Sequence, residues 1–139
     1  MQNSENIIVP LKAHFDNCLV DGSFGPGKNP LTGEIALSSV DEADFDYYFN
    51  HCVLTTVGSD NGRFESTLFT TEDSAPLYRM TGGEANKYQF DFRPDTVISL
   101  GVGKADPAVS AQYPIDRYGV NRLESSNGPT IGAYEFVEK

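Results

Sequence analysis

Tryptophan is missing from this sequence, and cysteine occurs only at Cys18 and Cys52. Two cysteines are too few for a disulfide scaffold, and their spacing forms no C-x-x-C pair for zinc or redox work. Basic residues are scarce: 10 Lys and Arg stand against 20 Asp and Glu, a formal charge of −10. Such a balance argues against nucleic acid as a partner, and against docking on anionic lipid. No run approaches the roughly 20 apolar residues of a membrane span, so no membrane insertion is expected. The opening MQNSENIIVPLKAHF has no basic n-region and no apolar h-region, so it does not read as a signal peptide. Amphipathic helical stretches of roughly 12 residues are also lacking, which excludes a helix bundle.

What the chain does have is turns and aromatics. Thirteen Gly, eight Pro, seven Tyr and nine Phe in 139 residues point to a single all-β domain with long loops. Short apolar runs read as strands: two around Pro10, then EIALSS with Ile35 and Leu37 on one face, then YYFNHCVLTT. FESTLFTT is strand-like, with a short helix as its alternative. PLYRM and KYQFDF flank a turn at Gly82-Gly83, TVISLGVG is a further apolar run, and TIGAYEFV reads as a terminal strand. The loop GPGKNPLTG lacks the spacer and the Ser/Thr of a phosphate-binding loop.

One internal repeat organises these runs. AHFDNCLV laid over YYFNHCVL aligns Phe15 with Phe49, Asn17 with His51, Cys18 with Cys52 and Leu19 with Val53, at an offset of 34 residues. Repeated strands of this kind predict stacked rungs, with like residues over like at about 4.8 Å. The expected fold is a short right-handed parallel β-helix of two to three rungs. The rungs fill about residues 7–100 and a closing segment fills about 101–139.

The order of FDNCLVDG, EIAL, YYFNHCVL, DRYGVNR and GPTIGAYEF resembles the C-terminal end of right-handed parallel β-helix proteins of Bacteroidetes-type bacteria, which are pectate-lyase-like. Asp116, Gly119 and Arg122 fill the Asp-x-x-Gly-x-x-Arg element of such chains. Gly132, Ala133, Tyr134 and Glu135 fill the final Gly-Ala-Tyr-Glu strand. The Ser-Pro-containing stretch that often precedes them is replaced by DTVISLG. The resemblance implies an extracellular or cell-surface protein associated with polysaccharide. It implies a non-catalytic terminal segment, or alternatively the tail of a lyase or hydrolase whose catalytic rungs lie upstream. A small antiparallel β-sandwich is a third reading.

A solenoid exposes an apolar cross-section where it stops, so something polar must cover it. Gly119 suits a sharp turn between Asp116 and Arg122, which are placed to pair across it. Gly132 and Ala133 permit close approach, with Tyr134 and Phe136 on one side of the strand and Ala133 and Glu135 on the other. The opposite end, near Ile7–Val9 and Phe15–Val20, is expected to be an open edge through which the chain self-associates. Carbohydrate contacts are expected from Tyr47, Tyr48, His51 and Tyr118, with Tyr78 and Tyr88 as further tyrosines. Asp41, Glu42, Asp44 and Asp46 lie within six residues and offer the hard oxygens that suit Ca²⁺. No catalytic residues are assigned: Lys12, Arg63, Arg79, Lys87 and Arg93 are scattered, and His14 and His51 lack a metal-site spacing. Cys18 and Cys52 read as two stacked thiols, with a disulfide between rungs as the alternative.

Overall fold

The computed structural model describes residues 7–22, 33–40, 44–58, 62–82 and 87–138. Three bent segments follow one another along the chain. Each is a strand, a corner and a second short strand: β1 (Leu11–Asp16) with β2 (Leu19–Val20), β3 (Phe45–Asn50) with β4 (Val53–Leu54), and β5 (Phe64–Glu65) with β6 (Leu68–Phe69). They pair in parallel as two sheets, β1-β3-β5 and β2-β4-β6. The 34-residue repeat is the observed register, with Phe15 opposite Phe49 and Leu19 opposite Val53.

The third segment continues this register at a much shorter spacing, Phe49 pairing with Phe64 and Val53 with Leu68. Phe15, Phe49 and Phe64 form one stack, with ring centroids 4.7 and 5.3 Å apart and planes within 10°. The corners repeat as well. Asn17, His51 and Ser66 occupy the same position in successive segments, all in the left-handed region at φ 51°, 50° and 46°. A left-handed residue reverses the side-chain alternation and turns the strand, so YYFNHCVLTT is two strands and not one.

Inside the bend lies the first core: Phe49, Cys52 and Leu54, packed by Cys18, Val20, Ile35, Tyr47, Phe64 and Phe69. On the other face of the β2-β4-β6 sheet lies a second core. There Val53, Ala105 and Ile131 meet Leu19, Leu68, Leu77 and Leu100. A polar ladder runs beside it, Thr70 Oγ1 donating to Thr55 Oγ1 (3.1 Å) and Thr55 Oγ1 to Asp21 Oδ1 (2.6 Å).

Beyond the third segment the chain forms an antiparallel pair, β7 (Tyr78–Met80) and β8 (Asp91–Pro94). Next comes a six-residue helix, α1 (Pro107–Gln112), and then a short 3-10 turn at Arg122–Glu124. Asp106 caps α1, its side chain accepting from the Ala108 amide. With mostly strands, little helix and parallel sheets, the molecule is all-β and not an antiparallel sandwich.

Three expected strands are absent. A single bridge, Gly33 with Thr56, precedes EIALSS, which forms no strand of its own. TVISLGVG is a succession of turns, with Ile98 74% exposed. Ser99 is buried there and donates to the Pro76 carbonyl, which favours a turn over a strand. TIGAYEFV is bent at Gly132, whose φ is 104°.

Candidate functional site

The closing segment lies along a flank of the stack. The Gly132 amide donates to the Asn17 carbonyl (3.0 Å) in the first bent segment. A Cβ at Gly132 would lie 3.3 Å from Leu19, so glycine permits this approach. Ile131 reaches Val53 in the second segment, and Leu68 of the third joins the same core. The segment therefore ties all three together from the side.

Its own shape comes from buried charge. Asp116 and Arg122 do not pair across the turn. Asp116 Oδ1 accepts the amides of Tyr118 (2.7 Å) and Val120 (2.8 Å), and Oδ2 accepts that of Glu135 (2.8 Å). Arg122 donates to the carbonyls of Thr130 (3.0 Å) and Gly132 (2.9 Å) and lies 3.8 Å from Glu135. Glu135 is only 3% exposed and accepts from the Thr130 amide (2.9 Å) and hydroxyl (2.5 Å). Each carboxylate is offset by several donors, which is the condition for burying it. Gly119 turns at φ 86° with open space around it.

Above this network lies a shallow cleft of about 280 Å³ lined by Arg79, Arg93, Asp116, Tyr118, Val120 and Glu135, among others. Tyr118 and Tyr134 pack ring to ring with centroids 5.2 Å apart. Arg93 sits over Tyr118 at 5.3 Å from its centroid. Asp91 clamps that guanidinium through contacts of 2.8 and 2.5 Å, and the pair holds the Asp91 carboxyl down at about 2. Arg79 is fastened to the carbonyls of Pro94 (3.3 Å) and Val137 (2.9 Å). The pairing of Tyr78 with Pro94 is what brings Arg79 and Arg93 together. The cleft thus joins the Tyr118 ring to two held guanidiniums and three carboxylates, Asp116, Glu135 and Glu138.

The other expected contacts lie elsewhere. Tyr47 faces the first core beside Phe49 and Phe64, with Arg63 over its ring at 4.7 Å. Tyr48 lies on the opposite face of the same strand, edge-on to His14 and bonded to Glu65. That bond raises the Tyr48 phenol above its usual range. His51 is a corner residue bonded to Asn50 (2.7 Å). Tyr78 is desolvated and its phenol is pushed up by burial, while Tyr88 is exposed. The four proposed sugar contacts are therefore not one surface, and only Tyr118 belongs to the cleft.

Of the acidic cluster, Asp41 and Glu42 lie outside the described residues. Asp46 contacts Arg63 (3.4 Å), and the Asp44 carbonyl accepts the Leu11 amide (2.9 Å). Among the described residues no three His, Cys, Asp or Glu side chains converge to hold a metal ion. Cys18 and Cys52 are both free thiols. A hydrogen bond from Cys52 lowers the Cys18 thiol below its ordinary range, and the same bond raises Cys52. No family model matches the chain, and neither a curated protein nor a solved structure matches it.

Arg79 and Arg93 are the residues that sequence reasoning passed over. Their signal is the alternation in YRM and DFRP, which places an arginine at facing positions once the two strands pair.

Proposed function

We propose that the chain is the C-terminal part of a right-handed parallel β-helix, a non-catalytic segment that closes the stack and offers a binding face to polysaccharide. The observation that carries this reading is the threefold repeat of phenylalanine, left-handed corner and apolar strand in parallel register. Parallel crossover connections are right-handed in nearly all proteins, which supports the handedness. The Tyr118 ring beside Arg93 and Arg79 in the cleft supports the ligand class. A sugar ring packs on tyrosine through its C–H face, and neighbouring guanidinium and carboxylate groups donate to and accept from sugar hydroxyls. The resemblance to β-helix surface proteins supports a place at the cell surface or outside the cell.

The test is binding of the purified chain to an array of neutral and acidic glycans, with and without Ca²⁺. Glycan binding is expected, and Tyr118→Ala and Arg93→Ala are each expected to weaken it roughly three- to tenfold. A blank array, or binding that both substitutions leave intact, would overturn the ligand assignment.

A further inference from the structure

Among the described residues, strand β1 has one unpaired edge. Its odd residues bond to β3, since the Leu11 amide donates to Asp44 and the Asn17 amide to Asn50. In a parallel ladder one residue directs both its N–H and C=O to the same side, and the next residue directs both to the other side. The backbone groups of Lys12, His14 and Asp16 therefore point away from β3, and among the described residues no strand pairs with them. Apolar side chains crowd the same end. Ile7, Val9 and Leu11 are exposed, Ile7 at 88%, and Phe15 is more than one-third exposed although it heads the phenylalanine stack. A cleft of about 470 Å³ runs beside the edge, with His14 to Cys18 on one wall and α1 residues Val109, Ser110 and Gln112 on the other.

We infer that this edge pairs with the same edge of a second copy, antiparallel, about a two-fold axis at His14. The register follows from the residues. With His14 opposite itself, Lys12 falls opposite Asp16 of the second copy, and Asp16 opposite its Lys12. All three outward-facing residues then sit in hydrogen-bonded pairs, giving about six main-chain bonds across the interface. Opposite charges meet twice on the outer face, the favourable arrangement for a cross-strand pair. On the inner face the small Ala13 lies opposite Phe15 of the second copy, so the exposed ring gains room and cover. Shifting the register by two residues puts Asp16 opposite His14, leaves Lys12 without its carboxylate and sacrifices a bonded pair. The two β1-β3-β5 sheets become one six-stranded sheet, and the free edge is removed. The pairing stands on β1 alone and does not depend on the carbohydrate reading.

Sedimentation of the full chain tests this, with circular dichroism on each variant to verify folding. A concentration-dependent dimer is expected. His14→Pro deletes an outward amide without removing a bond to β3, and is expected to abolish the dimer. Lys12→Asp and Asp16→Lys each place like charges opposite one another twice, and each is expected to weaken the dimer about tenfold or more. Mixed together, these two variants regain complementary pairs at both positions and are expected to form a one-to-one heterodimer. A chain that stays monomeric up to about 1 mM would overturn the proposal. So would a dimer that survives His14→Pro, or a mixture of folded variants that stays as weak as its components.

Discussion

The bent segments and the closing segment are held by different means. Between the bent segments the main chain bonds to itself and like side chains stack on like, as in the Phe15, Phe49 and Phe64 column. The closing segment contains no strand after β8; beside its turn bonds, several of its carbonyls and amides are bonded by the side chains of Asp116, Arg122, Thr130 and Glu135. A ladder tolerates many residue types, because its bonds are to the main chain. A loop held by side chains tolerates few, because each charged group serves several backbone partners and becomes a liability if one is removed.

Substitutions in the two regions sharpen that contrast. Glu135→Ala leaves Arg122 without its buried counter-charge and is expected to cost about 4 kcal/mol, measured by urea unfolding. Leu54→Ala, at the centre of the first core, is expected to cost about 3 kcal/mol in the same assay. If Leu54→Ala proves much the costlier, the closing segment is an accessory and not part of the cooperative unit. Two glycines of the closing segment separate strain from collision. A Cβ on Gly103 would lie 2.0 Å from the Asn127 carbonyl oxygen, whereas one on Gly119 meets nothing within 4 Å. Gly103→Ala is therefore expected to lose roughly 2 kcal/mol or more, and Gly119→Ala about 1 kcal/mol from its left-handed backbone alone.

The thiols probe the first core without unfolding it. Cys18 lines the cleft beside β1, while Cys52 is fully buried. Iodoacetamide is expected to label Cys18 alone, with a rate that rises at a pH below the ordinary thiol range, read by mass spectrometry. Cys52→Ala removes the donor that stabilises the Cys18 thiolate and is expected to move that rise to higher pH. The smallest effect belongs to the corners. Ser66 sits at φ 46°, where glycine carries no steric penalty, and Ser66→Gly is expected to stabilise by about 0.5 kcal/mol.

The stack was legible where its chemistry repeats. The alignment of Phe15 with Phe49 and Leu19 with Val53 gives the register directly. FESTLFTT reads as strand-like, but its place in the repeat escaped because Ser66 and Thr67 replace the polar residue and cysteine of the motif, although Phe64 and Leu68 keep its frame. Tyr47 was misplaced as a surface residue, yet it stands two before Phe49 in one strand and so shares its inward face. The TIGAYEFV segment has strand propensity, but Asp116 and Thr130 claim the amides of Glu135 and Phe136 for themselves. A sequence does not display that competition, since it depends on which distant side chain arrives first at a given amide. The same holds for the cleft, which needs Arg93 of β8 and Tyr118 of a later turn brought together.

Phe15 and Phe49 are 34 residues apart, Phe49 and Phe64 only 15, yet both steps give the same ring stack. Closing a connection of twice the length costs only about 0.6 kcal/mol in chain entropy. The architecture is thus indifferent to the traffic between its steps. New sequence can be spliced after one corner strand and before the next phenylalanine without disturbing the column, which makes these intervals natural ground for variation and for grafting.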